Sequence, residues 1–188
     1  MRKLIIEEWL SLEGYAAESN GSTDFFGSRK WGNEVDEEMI EFMKTTDTIV
    51  LGANTYRIFV EFWPASDPNE EIMTEPINET RKIVFSNSLE SAEWGKFEPA
   101  EIISGDAIEQ MRKLKSEPGK NMILWGSLSL ARTFLDAGLV DEIHLRTCPI
   151  ILGNGLKFFE ESGEIELELK DVTKYDSGLV LTEYLVKN

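Results

Sequence analysis

Two junctions between an apolar segment and a helix-like segment are the places where this sequence offers chemistry from its backbone. The first is IVLGANTY at residues 49–56, and the second is ILWGSLSL at residues 123–130. Glycine allows a ligand to approach the backbone closely, and the first turn of a helix has N–H groups without intrahelical partners. Each junction can therefore hold a phosphate, or it can be the ordinary strand-to-helix turn of an α/β protein. Neither matches the nucleotide fingerprints GxGxxG or GxxxxGK[ST].

A third glycine-containing segment is PIILGNGLKFF at residues 149–159, where Gly153 and Gly155 flank Asn154. Asn-Gly after a predicted strand is a strong signal for a tight turn. The alternative interpretation is that this backbone approaches a bound cofactor. The residues alone favour the turn.

Three carboxylates are candidate proton donors. Asp36 lies on the flank of the apolar face of a predicted helix, with Ile40 and Met43 four and seven residues later. Partial desolvation there would raise its pKa toward the range that proton donation near pH 7 requires. The alternative is that Asp36 simply stabilises the N-terminus of the helix, where acidic residues are favoured. Glu8 and Asp24 are lesser candidates.

Aromatic side chains are the candidates for stacking on a flat substrate. Trp9, Trp31, Tyr56 and Trp63 could hold a heteroaromatic ring, and we expect at least half of these four to belong to the core. The first three are the predicted substrate-binding residues. The chain has one histidine, His144, and no Cys/His spacing typical of metal ligands, so no metal site is predicted. We interpret His144 as structural and Cys148 as a small buried hydrophobic residue.

The elements that would position these residues alternate between strands and helices over most of the chain. Apolar segments predict strands, and amphipathic segments predict helices. The polar, proline-bearing residues 64–80 are interpreted as a loop, and residues 139–152 as one long strand. Two segments of alternating polarity around DSG predict a C-terminal hairpin. The pattern predicts an α/β fold with a mostly parallel sheet and antiparallel C-terminal strands, in a single domain over residues 1–188.

The composition excludes several classes of partner. The chain of 188 residues has a formal net charge of −16, which repels nucleic acid and anionic membranes. It has no apolar run of about 18 residues, and its first residues do not match a secretory signal. The single cysteine excludes an internal disulfide and fits a reducing compartment. We therefore expect a cytoplasmic protein whose partner is a small molecule.

Five segments resemble the dihydrofolate reductase superfamily in their order and spacing. They are SLEGYAA (11–17), LGANTYRIFVEFWP (51–64), VFSNSLES (84–91), WGSLSLARTFLDAGLVDEIHL (125–145) and PIILGNGLKFF (149–159). The chain is most similar to the branch that contains the C-terminal reductase domain of bacterial riboflavin biosynthesis proteins. This resemblance implies three layers, with helices on both faces of the sheet and NADPH along the carboxyl edge of the strands. It also implies a homodimer that pairs through the C-terminal strands.

The resemblance implies which residues contact the cofactor. Ala16 and Ala17 would belong to a mobile loop over the nicotinamide, and the other segments would contact the ribose groups and phosphates. Those other residues are Gly52, Ala53, Asn54 and Thr55, then Ser86, Asn87 and Ser88, then Gly126, Ser127, Leu128 and Ser129, and Gly153. Asp36 lies sixteen residues before Gly52, which is the separation at which the folate enzymes carry their carboxylate.

The chain departs from the family at the first glycine junction. Relatives often have a basic residue directly after the glycine, as in GRKTY, and that residue can pair with the 2′-phosphate of NADPH. Here the segment is GANTY, and Ala53 and Asn54 carry no charge. NADH is therefore an alternative cofactor, unless Arg57 or Arg81 supplies the missing cation.

We expect a reductase that uses NADPH or NADH to reduce a small heterocyclic, carbonyl or imine substrate. It would be similar to 5-amino-6-(5-phosphoribosylamino)uracil reductase of riboflavin biosynthesis. Two alternatives remain open. One is a non-catalytic ligand-binding or assembly protein that retains the fold, and the other is dihydrofolate reductase proper.

Overall fold

The computed structural model describes residues 1–29, 31–159 and 163–187. Within these ranges the strands are β1 (Leu4–Leu10), β2 (Tyr15–Ala17), β3 (Thr46–Gly52), β4 (Arg81–Phe85), β5 (Glu101–Ile103), β6 (Asn121–Leu124), β7 (Glu142–Thr147), β8 (Leu156–Lys157), β9 (Leu167–Lys174) and β10 (Val180–Val186). The helices are α1 (Asp24–Gly27), α2 (Asn33–Lys44), α3 (Ala53–Phe62), α4 (Thr74–Glu79), α5 (Ala107–Ser116) and α6 (Leu128–Asp136), with a 3-10 turn at Trp63–Ala65. None of these helices is long and apolar enough to cross a membrane.

Eight of these strands form one sheet in the order β5-β4-β3-β6-β1-β7-β10-β9. The first six run parallel, since every pair among them is parallel. β10 pairs antiparallel with β7, and β9 pairs antiparallel with β10. This confirms the predicted sheet and the predicted C-terminal hairpin. β2 and β8 form a separate two-stranded sheet.

Helices cover both faces of the sheet, because its central strands are apolar on both sides. On one face, Leu124 of β6 belongs to a buried cluster with Met111 of α5 and Phe134 of α6. On the other face, Ile123 belongs to a buried cluster with Met39 of α2. Successive side chains of a strand point to opposite faces, so neighbouring residues of β6 serve the two clusters. The three layers are those that the resemblance implies.

Residues 64–80 are not a loop throughout, because they contain α4. The carbonyl groups at the end of this helix are bound by the buried ammonium of Lys82, whose Nζ donates to the oxygens of Ile77, Asn78 and Thr80 at 3.1, 2.5 and 2.7 Å. Burial lowers the pKa of Lys82 to about 8. Pro76, one of three prolines in this segment, lies in the first turn of α4, where proline is tolerated. The sequence pattern missed the helix because six residues are too few to show the helical periodicity of apolar side chains.

Two further boundaries differ from the predicted ones. The strand predicted over residues 139–152 ends at Thr147, and Pro149, which cannot donate to a strand ladder, follows soon after. Cys148 between them is fully buried, and burial raises the pKa of its thiol to about 12. Residues 11–17 are not a free loop, because they contain β2, which pairs with β8.

Candidate functional site

A cleft of about 300 Å³ opens where β3, β4 and β6 end, between the first turns of α3 and α6. β3 lies next to both β4 and β6, so the carboxyl ends of the three strands meet at one edge of the sheet. Ligands of open α/β sheets bind at this edge. The lining residues come from both glycine junctions and from the end of β4: Gly52, Ala53, Asn54, Phe85, Ser86, Ser127, Ser129, Leu130 and Thr133. The structure therefore brings the two junctions together at one site.

The two helices that start at this cleft lack side-chain caps and acidic first turns. Gly52 precedes α3 and Ser127 precedes α6, and neither helix has a side-chain hydrogen bond at its cap or an acid in its first turn. By contrast, α2 has Glu34 and Asp36 in its first turn, and α5 has Glu109. In a chain with a net charge of −16, this leaves two partial positive charges at one cleft. The arrangement fits an anionic ligand.

Gly52 and Gly126 allow the two turns to pack directly against each other. The amide of Gly52 donates to the carbonyl oxygen of Gly126 at 2.8 Å. A Cβ on Gly52 would lie 2.5 Å from Oγ of Ser127, and one on Gly126 would lie 2.8 Å from Oγ1 of Thr55. Gly126 has a φ of +101°, and its peptide bond to Ser127 is cis. Thr55 therefore fills the contact between the turns, and Leu128 packs against the core, so neither lines the cleft.

The exit of β4 is a turn that leaves one hydroxyl able to donate to a ligand. Oγ of Ser86 accepts hydrogen bonds from the amides of Ser88 and Leu89 at 3.2 and 3.1 Å, and Ser86 lines the cleft. Oδ1 of Asn87 accepts from the amide of Gly105 at 2.7 Å. Asn87 and Ser88 are exposed and hold the turn, whereas Ser86 can contact what the cleft binds.

The loop predicted to move over the nicotinamide is instead tied to another segment. Ala16 and Ala17 are buried in β2. The carboxylate of Glu13 accepts hydrogen bonds from the amides of Leu152 and Gly153 at 2.7 and 2.9 Å, and these bonds lower the pKa of Glu13. Backbone pairing of β2 with β8 completes the connection. Gly153 and the two alanines therefore belong to this joined unit and lie outside the lining of the cleft.

A buried ion network lies on the α2 side of the sheet, beside the second glycine junction. Nε of Arg146 donates to Oε1 of Glu7 at 2.6 Å, and its Nη2 donates to the carboxylate of Glu38. The other oxygen of Glu7 accepts the indole N–H of Trp125, the residue before Gly126. Burial acts to lower the pKa of Arg146, but the two carboxylates raise it above its ordinary value. The network thus links the end of β6 through β1 to β7 and α2.

Glu8 is a half-buried carboxyl in the part of β1 that continues beyond the end of β6. It lies two residues after Ile6, which is the last residue of β1 that pairs with β6. Its carboxyl oxygen accepts a hydrogen bond from the amide of Trp9 at 3.2 Å. Burial, together with the neighbouring charge of Glu7, raises its pKa to about 8. Glu8 is therefore mostly protonated at pH 7, as a proton donor requires.

The other two candidate acids lie on helices. Asp36 is half-buried in the first turn of α2, four residues before Ile40, which packs against the cluster that α3 shares. Residues four apart lie on one face of a helix, so Asp36 lies on the side of α2 toward α3. Asp24 is exposed in the short helix α1. Asp36 remains the second candidate after Glu8.

The structure separates the three aromatic residues predicted to stack on a substrate. Tyr56 is only 7% exposed, and its hydroxyl donates to the carbonyl oxygen of Glu93 at 2.7 Å. The prediction for Tyr56 is wrong, because α3 turns this ring into the core. Trp9 and Trp31 are half-buried, and their ring centroids lie 5.9 Å apart. These two indoles keep exposed area at the end of β1.

Sequence reasoning missed a second half-buried pair of rings and the ion network beside it. Trp125 and Phe59 have ring centroids 5.7 Å apart. Trp125 could have been singled out in the sequence because it directly precedes a glycine junction. Glu7 could have been singled out because a charged residue inside an apolar strand requires a buried partner. The partner, Arg146, lies 139 residues away, and no local pattern reveals that pairing.

One cluster has the composition of a metal site but is already neutralised. Glu142, His144 and Glu183 offer ligand atoms within 4.8 Å of one another. Nζ of Lys3 lies 2.5 Å from Glu142, and Nζ of Lys170 lies 2.9 Å from the same carboxylate. Two ammonium groups occupy the place of a cation. We therefore keep the interpretation of His144 as structural.

Comparisons with known proteins agree on the fold. The profile of the family described as the RibD C-terminal domain matches residues 2–181. The uncharacterized protein YyaP of Bacillus subtilis is 28% identical over 186 residues, which cover 97% of this chain and 94% of YyaP. The structure of a candidate riboflavin biosynthesis protein from Shewanella sp. PV-4 has a TM-score of 0.81 at 23% identity and covers 99% of both chains. Dihydrofolate reductase from Enterococcus faecalis, complexed with NADP(H), has a TM-score of 0.61 at 14% identity and covers 99% of this chain and 97% of its own.

Proposed function

The chain belongs to the RibD C-terminal domain family, and we propose that it is a reductase that uses NADPH or NADH to reduce a small heterocyclic, carbonyl or imine substrate. The observation that carries this proposal is the cleft between two uncapped helix N-termini without acidic first turns. The pyrophosphate of a dinucleotide is anionic, and the first amides of α3 and α6 offer donors on both sides of it. The shared fold of a dihydrofolate reductase complexed with NADP(H) supports a nicotinamide cofactor.

Different residues around the cleft would bind the cofactor and donate the proton. The hydroxyls of Ser127 and Ser129 lie 3.0 Å apart at the start of α6 and can donate to phosphate oxygens. When bound, the nicotinamide supplies a hydride, and the chain has to orient it and provide a proton. Glu8 is the residue that we assign to the proton, because its carboxyl is mostly protonated at pH 7 and lies in the part of β1 that extends beyond the end of β6.

The substrate would lie beyond the ends of β1 and β6, where it can contact both the rings on the α2 side of the sheet and the carboxyl of Glu8. Glu8 points to the α6 side, as Ile6 and Leu10 do. There the Trp125 and Phe59 rings lie at the end of one strand, and the Trp9 and Trp31 rings at the end of the other. Half-buried rings suit a flat heterocycle. The resemblance to riboflavin-pathway and folate reductases gives the first two compounds to test. They are 5-amino-6-(5-phosphoribosylamino)uracil and dihydrofolate. The cytoplasmic location and the homodimer stay predictions.

The test is a titration of the purified protein with NADPH and with NADH, followed by tryptophan fluorescence. Trp125 directly precedes the Gly126 turn, so binding at the cleft should change its emission. A substrate panel then reports loss of the reduced cofactor by absorbance. Saturable binding with turnover supports the proposal, whereas binding without turnover on any substrate favours the non-catalytic alternative. Failure to bind either cofactor refutes the reductase.

A further inference from the structure

Arg57 is a cation held at the rim of the cofactor cleft. It lies on α3, four residues after Ala53 and three after Asn54, and both of these residues line the cleft. Residues four apart lie on one face of a helix, and long side chains point back toward the helix N-terminus. The side chain of Arg57 therefore reaches toward the position where Ala53 has no functional group.

Asn54 fixes the guanidinium in this position. Nη1 of Arg57 donates to Oδ1 of Asn54 at 2.9 Å. A guanidinium has five N–H donors in a planar fork, and this bond to a neutral amide uses one of them. Arg57 is exposed, so its remaining donors can meet a ligand that extends from the cleft. The full positive charge stays available, because an amide oxygen does not neutralise it.

Arg81, the other cation that could replace the missing basic residue, is in the wrong place. It begins β4, whereas the cleft lies beyond the opposite end of that strand at Phe85. Four residues of extended strand separate these ends by about 13 Å. Nε and Nη2 of Arg81 also donate to the two oxygens of Glu101 at 2.7 Å each. Arg81 therefore cannot serve the cleft.

We propose that Arg57 binds the 2′-phosphate of NADPH and thereby makes the protein select NADPH over NADH. This inference rests on the proposed reductase function. The 2′-phosphate is the group by which the two cofactors differ, and the guanidinium fork matches phosphate oxygens in a bidentate geometry. Ser86, which also lines the cleft, has a hydroxyl hydrogen that can be donated to the same group.

The net charge of the chain makes a local cation necessary for this selectivity. With −16 overall, the protein as a whole disfavours the more highly charged cofactor. The helix N-terminus of α3 alone would attract the phosphates of both cofactors and would not separate them. A group that touches only the additional phosphate is required, and Arg57 is placed to be that group.

The experiment measures the dissociation constants of NADPH and NADH for the wild type and three variants at fixed ionic strength. The variants are Arg57→Ala, Arg57→Lys and the control Arg112→Ala, which removes an exposed cation from α5, an element outside the cleft lining. We expect Arg57→Ala to weaken NADPH binding about tenfold to a hundredfold and NADH binding less than about twofold. Arg57→Lys should retain part of the preference, and Arg112→Ala all of it.

The outcomes separate this inference from the proposed function. Equal affinity of the wild type for the two cofactors, or unchanged NADPH affinity in Arg57→Ala, would overturn the role of Arg57 and leave the reductase proposal intact. Equal loss of both cofactors in Arg57→Ala would also overturn it, because the side chain would then act on a shared group. Binding of neither cofactor by the wild type would remove the reductase and the inference together. Thermal unfolding of each variant confirms that the fold is unchanged.

Discussion

Ser129 lies in the first turn of α6, where its hydroxyl contacts that of Ser127. Ser129→Glu would place a carboxylate where the helix dipole favours negative charge but where a pyrophosphate would be repelled. We expect the variant to unfold at no lower temperature than the wild type and to bind NADPH at least about tenfold more weakly. Thermal denaturation and fluorescence titration measure the two effects.

A charge-matched control is available at the other end of the chain. Ser177→Glu adds the same charge in the exposed turn between β9 and β10. It should leave NADPH binding unchanged. If Ser129→Glu bound NADPH as tightly as the wild type does, the start of α6 would not be the phosphate site.

Glu8 should make the stability of the fold decrease as pH rises. Its pKa is about 8 in the folded chain against an ordinary 4.5, so between these values the folded state keeps a proton that the unfolded state has released. The stabilising contribution is complete below pH 4.5 and is lost as pH rises through 8. Glu8→Gln does not titrate, and we expect it to exceed the wild type at pH 9 by about 1–3 kcal/mol in free energy of unfolding, with a smaller difference at pH 5.

Urea denaturation at these two pH values is the measurement for Glu8. Glu37→Gln, on the exposed side of α2, removes a carboxylate without burial and should show no such difference. If the free energies of unfolding of the wild type and Glu8→Gln changed with pH in the same way, the pKa of Glu8 would not be raised in the folded state. The proposed reductase activity should also fall above pH 8, since Glu8, the proposed proton donor, is then ionised.

Arg146 joins three elements, because its guanidinium on β7 binds Glu7 of β1 and Glu38 of α2. Arg146→Leu would leave Glu7, which is 1% exposed, without its counter-ion. We expect a loss of about 3–5 kcal/mol in free energy of unfolding, measured by urea denaturation. The double variant Glu7→Leu, Arg146→Leu should recover part of this loss, because it leaves no unpaired charge.

The comparison of single and double variants distinguishes charge from packing. An equal or greater loss in the double variant would mean that the shape of Arg146, rather than its charge, holds the three elements together. Arg112→Leu on the exposed face of α5 should change the free energy of unfolding by no more than about 0.5 kcal/mol.

The strands and helices around the cleft were largely predictable, and their long-range pairings were not. The apolar segments before Gly52 and Gly126 are strands, and the segments after them are helices, as local periodicity indicated. The contact between the two glycines, the carboxylate of Glu13 on the Gly153 amide and the ion pair of Glu7 with Arg146 all join residues that are far apart in the sequence. Local patterns encode which elements form, whereas these bonds depend on which elements become neighbours.

One face of the C-terminal hairpin carries exposed apolar side chains. Leu169 and Val172 of β9 are 55% and 50% exposed, and they pair with Tyr184 and Thr182 of β10, so the four side chains share a face. Exposed apolar area of this kind is typical of an interface. We expect a second copy of the chain to cover it, as the resemblance implies, and Leu169→Glu to convert a dimer into a monomer in analytical ultracentrifugation.

Ile58 on α3 provides the control for this surface. It is 49% exposed, close to the value for Leu169, but it lies on a different element. Ile58→Glu should leave the dimer intact. Dissociation by Ile58→Glu and not by Leu169→Glu would place the interface on α3, and a wild type that sediments as a monomer would contradict the homodimer.

The burial of Cys148 has a practical consequence for thiol-specific labelling. It is the one thiol in the sequence, it is fully buried, and its pKa is raised to about 12. Because thiol reagents need an accessible thiolate, the folded protein behaves toward them as if it contained no cysteine. A cysteine placed at the exposed Asn154 would therefore carry a fluorophore or spin label without background from the native chain. The distance from this segment to the cleft could then be followed in solution, with every native side chain except one in place.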